Sequence, residues 1–366
     1  MPKPIPLGTV AASVPPDRER VYFDECSRIE FFSHATECNL CNAWWLAEAS
    51  FAAYDTFDPT GRSQIDLGPI LAAGFSVTPG LAKDTQFLAI ENTEVLIVAF
   101  RGTRLEGFSI PFLNTQGFDV NWGDVVTDAR FLPEMIDSHV SDVFVHQGFL
   151  NAFRDIEDKF SVVVERALSN RRPVWFCGHS LGAALATLAA YKYRDRAQGL
   201  YTFGSPRVGD GSFVNTLISS HLQNNICRFV HHRDIVTTVP PEGLPIAFDV
   251  SAWLNFLNAL RDRKPVGYAH VGHLKFITGQ NTWKIEEGES ARARDTITAI
   301  GADTFAHAKE VADMLTHGFS ITNPGSWPIL FDAVADHAPI YYTNKIFNAC
   351  EEALAAQARM SGVDFR

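Results

Sequence analysis

The feature that most constrains the fold is a junction in the middle of the chain. The apolar run Pro173–Cys177 (PVWFC) ends at Gly178-His179-Ser180-Leu181-Gly182, and the alanine-rich stretch LGAALATLAA continues without a spacer. A short apolar run bounded by glycine reads as a strand covered on both faces, and the stretch after it reads as a helix. A strand that gives way to a helix at once needs a sharp, strained turn, with Ser180 at its apex. Residues two before and two after that apex have no room for a side chain, which accounts for Gly178 and Gly182. Ala183 and Ala184 let the helix approach the sheet closely. Such a strand–GxSxG–helix turn exposes a serine hydroxyl beside the first N–H groups of the helix.

Other apolar runs repeat the pattern. Glu94–Phe100 (EVLIVAF), Leu200–Phe203 (LYTF) and Ile226–Val230 (ICRFV) read as further buried parallel strands. Between them lie helical stretches at Gly148–Asn170, Leu181–Arg196 and Gly211–Asn224, and an amphipathic helix is expected around Asn42–Tyr54. Alternating strands and helices are the grammar of an α/β sheet with right-handed crossovers. Towards the C-terminus, a strand pair is expected at His273–Thr278 and Thr282–Glu286. A helical run from Thr296 to Thr316 follows, then a partly helical pattern over Ile329–Phe347. The chain reads as an N-terminal extension (1–20) followed by a single domain (21–366).

Composition narrows the partners. With 46% hydrophobic residues and a net charge of -11, the chain suits a globular fold and not a polyanionic partner, so no nucleic acid is expected. No obligate protein partner is evident. No continuous apolar h-region and no membrane-spanning run is visible, which implies a cytoplasmic protein or one secreted by a non-classical or trimmed route. The six cysteines are scattered, and Cys38-Asn39-Leu40-Cys41 is a lone C-x-x-C, so buried thiols are expected in preference to a metal site.

Ser180 is the candidate nucleophile, and the Leu181 N–H at the helix start is placed to hold a developing oxyanion. A serine needs a base, and the base needs an orienting carboxylate. On sheets of this kind the order along the chain is Ser, then Asp or Glu, then His. Asp234, in ICRFV-HHRD-IVTTVPP, fits the acid because it follows a strand and precedes two prolines. Twelve histidines leave the base open at this point.

VAFRGT, VHQGFLNAF, FCGHSLGAALATLAA, YTFGSPRVGD, HHRDIVTTVPP and GYAHVGH follow one another as the successive motifs of the class 3 (fungal-type) triacylglycerol lipases. The chain resembles that family over roughly residues 40–280, and six motifs in register are specific. The resemblance implies an α/β-hydrolase fold, a mostly parallel central sheet flanked by helices with lid or cap insertions. It also implies a Ser-Asp-His triad. It assigns the nucleophile to Ser180 and the acid to Asp234, and it gives Thr103 the second oxyanion N–H, its hydroxyl fixing the loop. Thr103 also closes a central strand at its carboxyl end, where open α/β sheets bind ligands. For the base, the resemblance favours His337, in Asp336-His337 followed by Tyr341, over His270 in GYAHVGH. His179 and His146 are expected to be structural, His231, His232, His307 and His317 to be packed or on the surface.

Two segments read as covers. Residues 105–118 mix Phe108, Ile110, Phe112 and Leu113 with glycine and proline, as a lid does. Residues 244–263 place Val250, Trp253, Leu254, Leu257 and Leu260 on one helical face, as an acyl-binding cap does. The reading is a lipase-type serine carboxylic ester hydrolase acting on acylglycerols or related lipid esters, with transient contact at a lipid interface, no cofactor and no metal. The alternatives are an esterase, phospholipase or thioesterase, or a non-catalytic lipase-like binding protein.

Overall fold

The computed structural model describes residues 2–6, 15–55, 63–103, 133–136, 142–238, 267–279, 282–290 and 336–361. The expected covers at 105–118 and 244–263 and the helical run Thr296–Thr316 lie outside them. Helix α1 (Leu40–Ala52) and the short α2 (Gly68–Ala72) lead into β1 (Ser76–Ala82), β2 (Thr85–Glu91) and β3 (Leu96–Phe100). After β4 (Pro133–Met135) and β5 (Phe144–His146) come α3 (Gln147–Ser169), β6 (Val174–His179), α4 (Leu181–Lys192), β7 (Gly199–Phe203) and β8 (Gly209–Asp210). The remainder is α5 (Gly211–Ile218), β9 (Ile226–His231), β10 (Tyr268–Ala269), β11 (His273–Ile277), β12 (Ile285–Glu287) and α6 (Pro339–Ser361).

Eight strands form one sheet in the order β1-β2-β3-β6-β7-β9-β11-β12. The five from β3 to β11 are parallel, and β1, β2 and β12 add antiparallel edges. This is an α/β-hydrolase fold with a mostly parallel central sheet between helices. Every residue of β3, β6, β7 and β9 is buried, because helices cover both faces. On one face α3 presents Leu150, Phe153, Ile156, Phe160, Val164 and Ala167 at helical spacing, beside the alanine-rich α4. On the other face lie α1 and α6, with Trp44, Trp45 and Phe347 in a shared core. The β4, β5, β8 and β10 segments form a small separate sheet.

Three features depart from the sequence reading. Helix α1 is buried from Asn42 to Ala52 and is not amphipathic, because the sheet and α6 enclose it. The hairpin β1–β2 was not among the expected strands, and its first strand contains Pro79-Gly80. Its place is the edge of the sheet, where a missing N–H costs no ladder bond. Cys38 and Cys227 form a disulfide that ties the start of α1 to β9, so two of the expected thiols are oxidised. Cys26, Cys41, Cys177 and Cys350 are free. The described part of the N-terminal segment hydrogen-bonds to α6, through Lys3 N–H to Asn348 Oδ1 at 2.6 Å and Arg20 to Asn344 Oδ1 at 2.9 Å. Among the described residues, no helix is long and apolar enough to cross a membrane.

Candidate active site

Ser180 stands between β6 and α4 with φ 60° and ψ -130°, a left-handed conformation that few side chains adopt without strain. The turn is possible because its neighbours lack side chains. A Cβ on Gly178 would lie 2.2 Å from the Gly182 carbonyl oxygen, and one on Gly182 would lie 2.1 Å from that of Phe100. The Ser180 N–H donates to the Phe203 carbonyl at 3.0 Å and so fixes the serine over the end of β7. Leu181 opens α4, whose first N–H groups point out of the helix towards the same end of the sheet.

Thr103 follows β3 at the neighbouring strand end. Its loop is anchored by the buried Arg101, which donates to Gln86 Oε1 at 2.8 Å and to the Asp84 carbonyl. A side chain on Gly102 would collide with the Tyr54 hydroxyl and the His179 carbonyl, so this loop lies directly against the serine turn. Among the described residues, the buried Thr103 hydroxyl has no hydrogen-bond partner and makes no bond that fixes the loop.

Asp234 and His337 are brought together. His337 Nδ1 lies 2.8 Å from Asp234 Oδ2 and 2.9 Å from Oδ1, and both residues are buried. Asp234 Oδ1 also accepts from the Val236 N–H at 2.9 Å, and Tyr342 donates its hydroxyl to Oδ2. The pair packs over Gly204, whose φ is +58°. A Cβ there would lie 2.6 Å from Asp234 Oδ2 and 2.9 Å from His337 Nδ1. Gly204 follows Phe203, which carries the carbonyl that holds Ser180, so the serine and the His337–Asp234 pair meet at one strand end. His270, the other candidate base, is engaged elsewhere: its Nε2 lies 2.8 Å from the Thr237 carbonyl.

The surrounding histidines are neutral and oriented. His179 Nε2 lies 2.6 Å from the His337 carbonyl, which can only accept, so Nε2 carries the proton. His179 Nδ1 then accepts from the Tyr54 hydroxyl at 2.8 Å. Burial, aided by the nearby His337, pushes the His179 pKa down to about 3. The His179 and His337 rings lie 4.4 Å apart, so a neutral His179 puts no positive charge beside His337. Burial also pushes His146 down to about 4; it caps α3 by accepting from the Phe149 N–H. Burial and the Asp234 charge raise the Tyr342 pKa, so its proton stays in place as a donor.

The sequence reading missed Tyr342 and Tyr54, while His231, expected to be packed or on the surface, is fully buried. Tyr342 stands on the buried face of α6 next to Tyr341, the tyrosine that the reading noted after Asp336-His337. Tyr54 carries no motif and is found only through its contacts.

A family model described as Lipase (class 3) matches residues 112–244. A lipase of Rhizomucor miehei is 35% identical over 130 residues, 33% of this chain and 34% of the relative. A secreted mono- and diacylglycerol lipase 1 of Fusarium solani is 29% identical over 212 residues, 56% of this chain and 60% of its own length. The chain thus spans between about a third and three-fifths of these curated relatives. The solved lipase II of Rhizopus niveus is 23% identical over 65% of this chain and 80% of its own, with a TM-score of 0.47.

Proposed function

We propose that the chain is a class 3 lipase, the family whose model matches residues 112–244, and that it is a serine carboxylic ester hydrolase that cleaves acylglycerols. The observation that carries the reading is the 2.8 Å contact of His337 Nδ1 with Asp234 beside the strained Ser180 turn. Ser180 Oγ attacks the ester carbonyl. His337 Nε2, the nitrogen turned away from Asp234, takes the serine proton and passes it to the departing alcohol. Asp234 keeps the proton on Nδ1 and balances the imidazolium charge. The N–H groups of Thr103 and Leu181 hold the tetrahedral oxyanion, a donor of that kind lowering the barrier by about 3–4 kcal/mol. The buried Thr103 hydroxyl, which has no partner among the described residues, supports a further donor at the same oxygen. Water then repeats the sequence on the acyl-enzyme, with His337 as base again, so the cycle needs no cofactor.

Residues 105–118 and 244–263 are proposed as lid and acyl-binding cap of one domain spanning 21–366. The Cys38–Cys227 disulfide favours an oxidising compartment, and the Fusarium relative is named as secreted, so secretion is the better reading of location. Replacement of Ser180 by Ala tests the activity. Turnover of a chromogenic ester falls by about 10^6-fold, to background, with the fold intact by circular dichroism. Retained turnover contradicts the proposal.

A further inference from the structure

His231 and Lys345 are wholly buried, and the catalytic steps above use neither. His231 closes β9, three residues before Asp234, and Lys345 lies on α6, eight residues after His337. His231 Nδ1 lies 2.8 Å from the carbonyl oxygen of Asp336, the residue immediately before His337. His231 Nε2 lies 2.7 Å from Lys345 Nζ. Lys345 Nζ gives another hydrogen to the Gly279 carbonyl at 2.6 Å. We propose that Lys345 and His231 act as a positioning pair: Lys345 sets the His231 tautomer, and His231 clamps the loop that carries His337. The inference rests on the hydrolase reading for the role of His337.

The hydrogen-bond partners decide the tautomer. A carbonyl oxygen only accepts, so the proton of His231 must be on Nδ1. An ammonium only donates, so Nε2 must offer its lone pair. Each partner enforces the same form. Without Lys345, the Asp336 carbonyl alone still favours the proton on Nδ1, while the Gly279 carbonyl, which Lys345 otherwise occupies and which also faces the ring, competes for a proton on Nε2. Each ring that takes the Nε2–H form turns a lone pair towards the Asp336 carbonyl and releases the loop. Among the described residues, the charged and titratable groups facing His231 are Lys345, Tyr341 and Tyr342 from α6, the Asp336 carboxylate 3.7 Å from Nδ1, and the neighbouring His232. Burial and the Lys345 charge hold His231 neutral.

The position of the clamp makes it relevant to the base. His231 donates to the Asp336 carbonyl, and His179 donates to the next one, that of His337. Successive carbonyls around the base are therefore gripped by two neutral imidazoles, each with a donor behind it: Lys345 for one and Tyr54 for the other. The backbone N–H of His231 also donates to the Tyr342 hydroxyl at 3.0 Å, and Tyr342 in turn donates to Asp234. The Tyr341 ring stacks on the His231 imidazole at 5.4 Å and 18°, which fixes its plane. A buried ammonium is costly unless it is hydrogen-bonded, and here its bonds lead to the loop of the base.

Nitrogen-15 spectra of the intact chain test the pair directly, with the His231 signals assigned by their loss in His231→Asn. The wild type shows His231 as the neutral Nδ1–H form, and Lys345→Met shifts it towards the Nε2–H form. Ester kinetics give the second readout. Lys345→Met lowers kcat between about 10- and 100-fold through misplacement of the base, with KM little changed. His231→Phe does the same, and His231→Asn, whose amide N–H occupies the Nδ1 position, recovers most of that loss. In the His231→Asn background, Lys345→Met adds little further loss, as expected for two residues acting in series. An Nε2–H or doubly protonated His231 in the wild type overturns the proposal, as does Lys345→Met with unchanged tautomer and kcat. If Lys345→Met fails to fold, the wild-type spectrum and the His231 variants still decide. If the wild type neither turns over esters nor reacts with a phosphonate, the hydrolase reading fails, while the spectrum still reports whether Lys345 sets the tautomer.

Discussion

Ser180 is held mainly by residues close to it in the chain, Gly178 and Gly182, and by the strand and helix they join, with the Phe203 carbonyl on the next strand. His337 is held from far away, by Asp234 at a separation of 103 residues and His179 at 158. The serine side depends on backbone sterics, where a single Cβ meets a carbonyl oxygen. The side of the proposed base depends on a lattice of buried side-chain hydrogen bonds drawn from β6, β9 and α6. A steric device fails by blocking the fold. A hydrogen-bonded one fails by letting a correctly folded site lose its aim.

The largest effect expected from this contrast is on the base side. Asp234→Asn lowers kcat for a soluble ester by about 10^4-fold, because the amide no longer holds the proton on His337 Nδ1. Steady-state kinetics check it, and a loss below tenfold would break the contrast by showing that Asp234 does not set the base. Next comes the serine side. Gly182→Ala, with its Cβ 2.1 Å from the Phe100 carbonyl, costs about 3 kcal/mol of stability and lowers the yield of folded protein. Urea unfolding measures it, and a change within about 0.5 kcal/mol would remove steric crowding from the explanation.

The smallest effect per residue is on the pH dependence of folding. His179 and His146, held down to about 3 and about 4, stay neutral in the fold at pH 5. In the unfolded chain they bind protons below about pH 6.5. The unfolded state therefore takes up more protons, and stability, full above that pH, falls as pH drops. The loss reaches about 2 kcal/mol per histidine at pH 5. Urea titrations at pH 7 and pH 5 show it. His146→Asn, which keeps a helix-capping acceptor, flattens the slope by its share. A wild-type slope of zero would mean that these imidazoles are not buried neutral.

What the sequence revealed follows the same division. The strands at Glu94–Phe100, Pro173–Cys177, Leu200–Phe203 and Ile226–Val230 were legible because full burial writes itself as unbroken apolar runs, and the structure has β3, β6, β7 and β9 there. The serine turn was legible because its glycines and small residues are consecutive. Helix α1 was misread as amphipathic, since neither of the covers that bury its second face is visible in its own residues. The Cys38–Cys227 bridge joins residues 189 apart, and no spacing announces it. The choice of His337 over His270 came from family likeness. The residues proposed to grip the loop of His337, namely His231, Lys345 and Tyr54, have meaning only through contacts between distant segments.

The most direct measurement is covalent labelling by a lipid-like phosphonate, followed by peptide mass spectrometry and comparison of inactivation rates among variants. If Ser180 is the nucleophile and His337 its base, the wild type takes one label, on the peptide containing Ser180. His337→Ala then slows labelling by orders of magnitude, and His270→Ala leaves it close to the wild-type rate. A label on another residue, no label at all, or a rate that collapses in His270→Ala but not in His337→Ala would contradict the assignment.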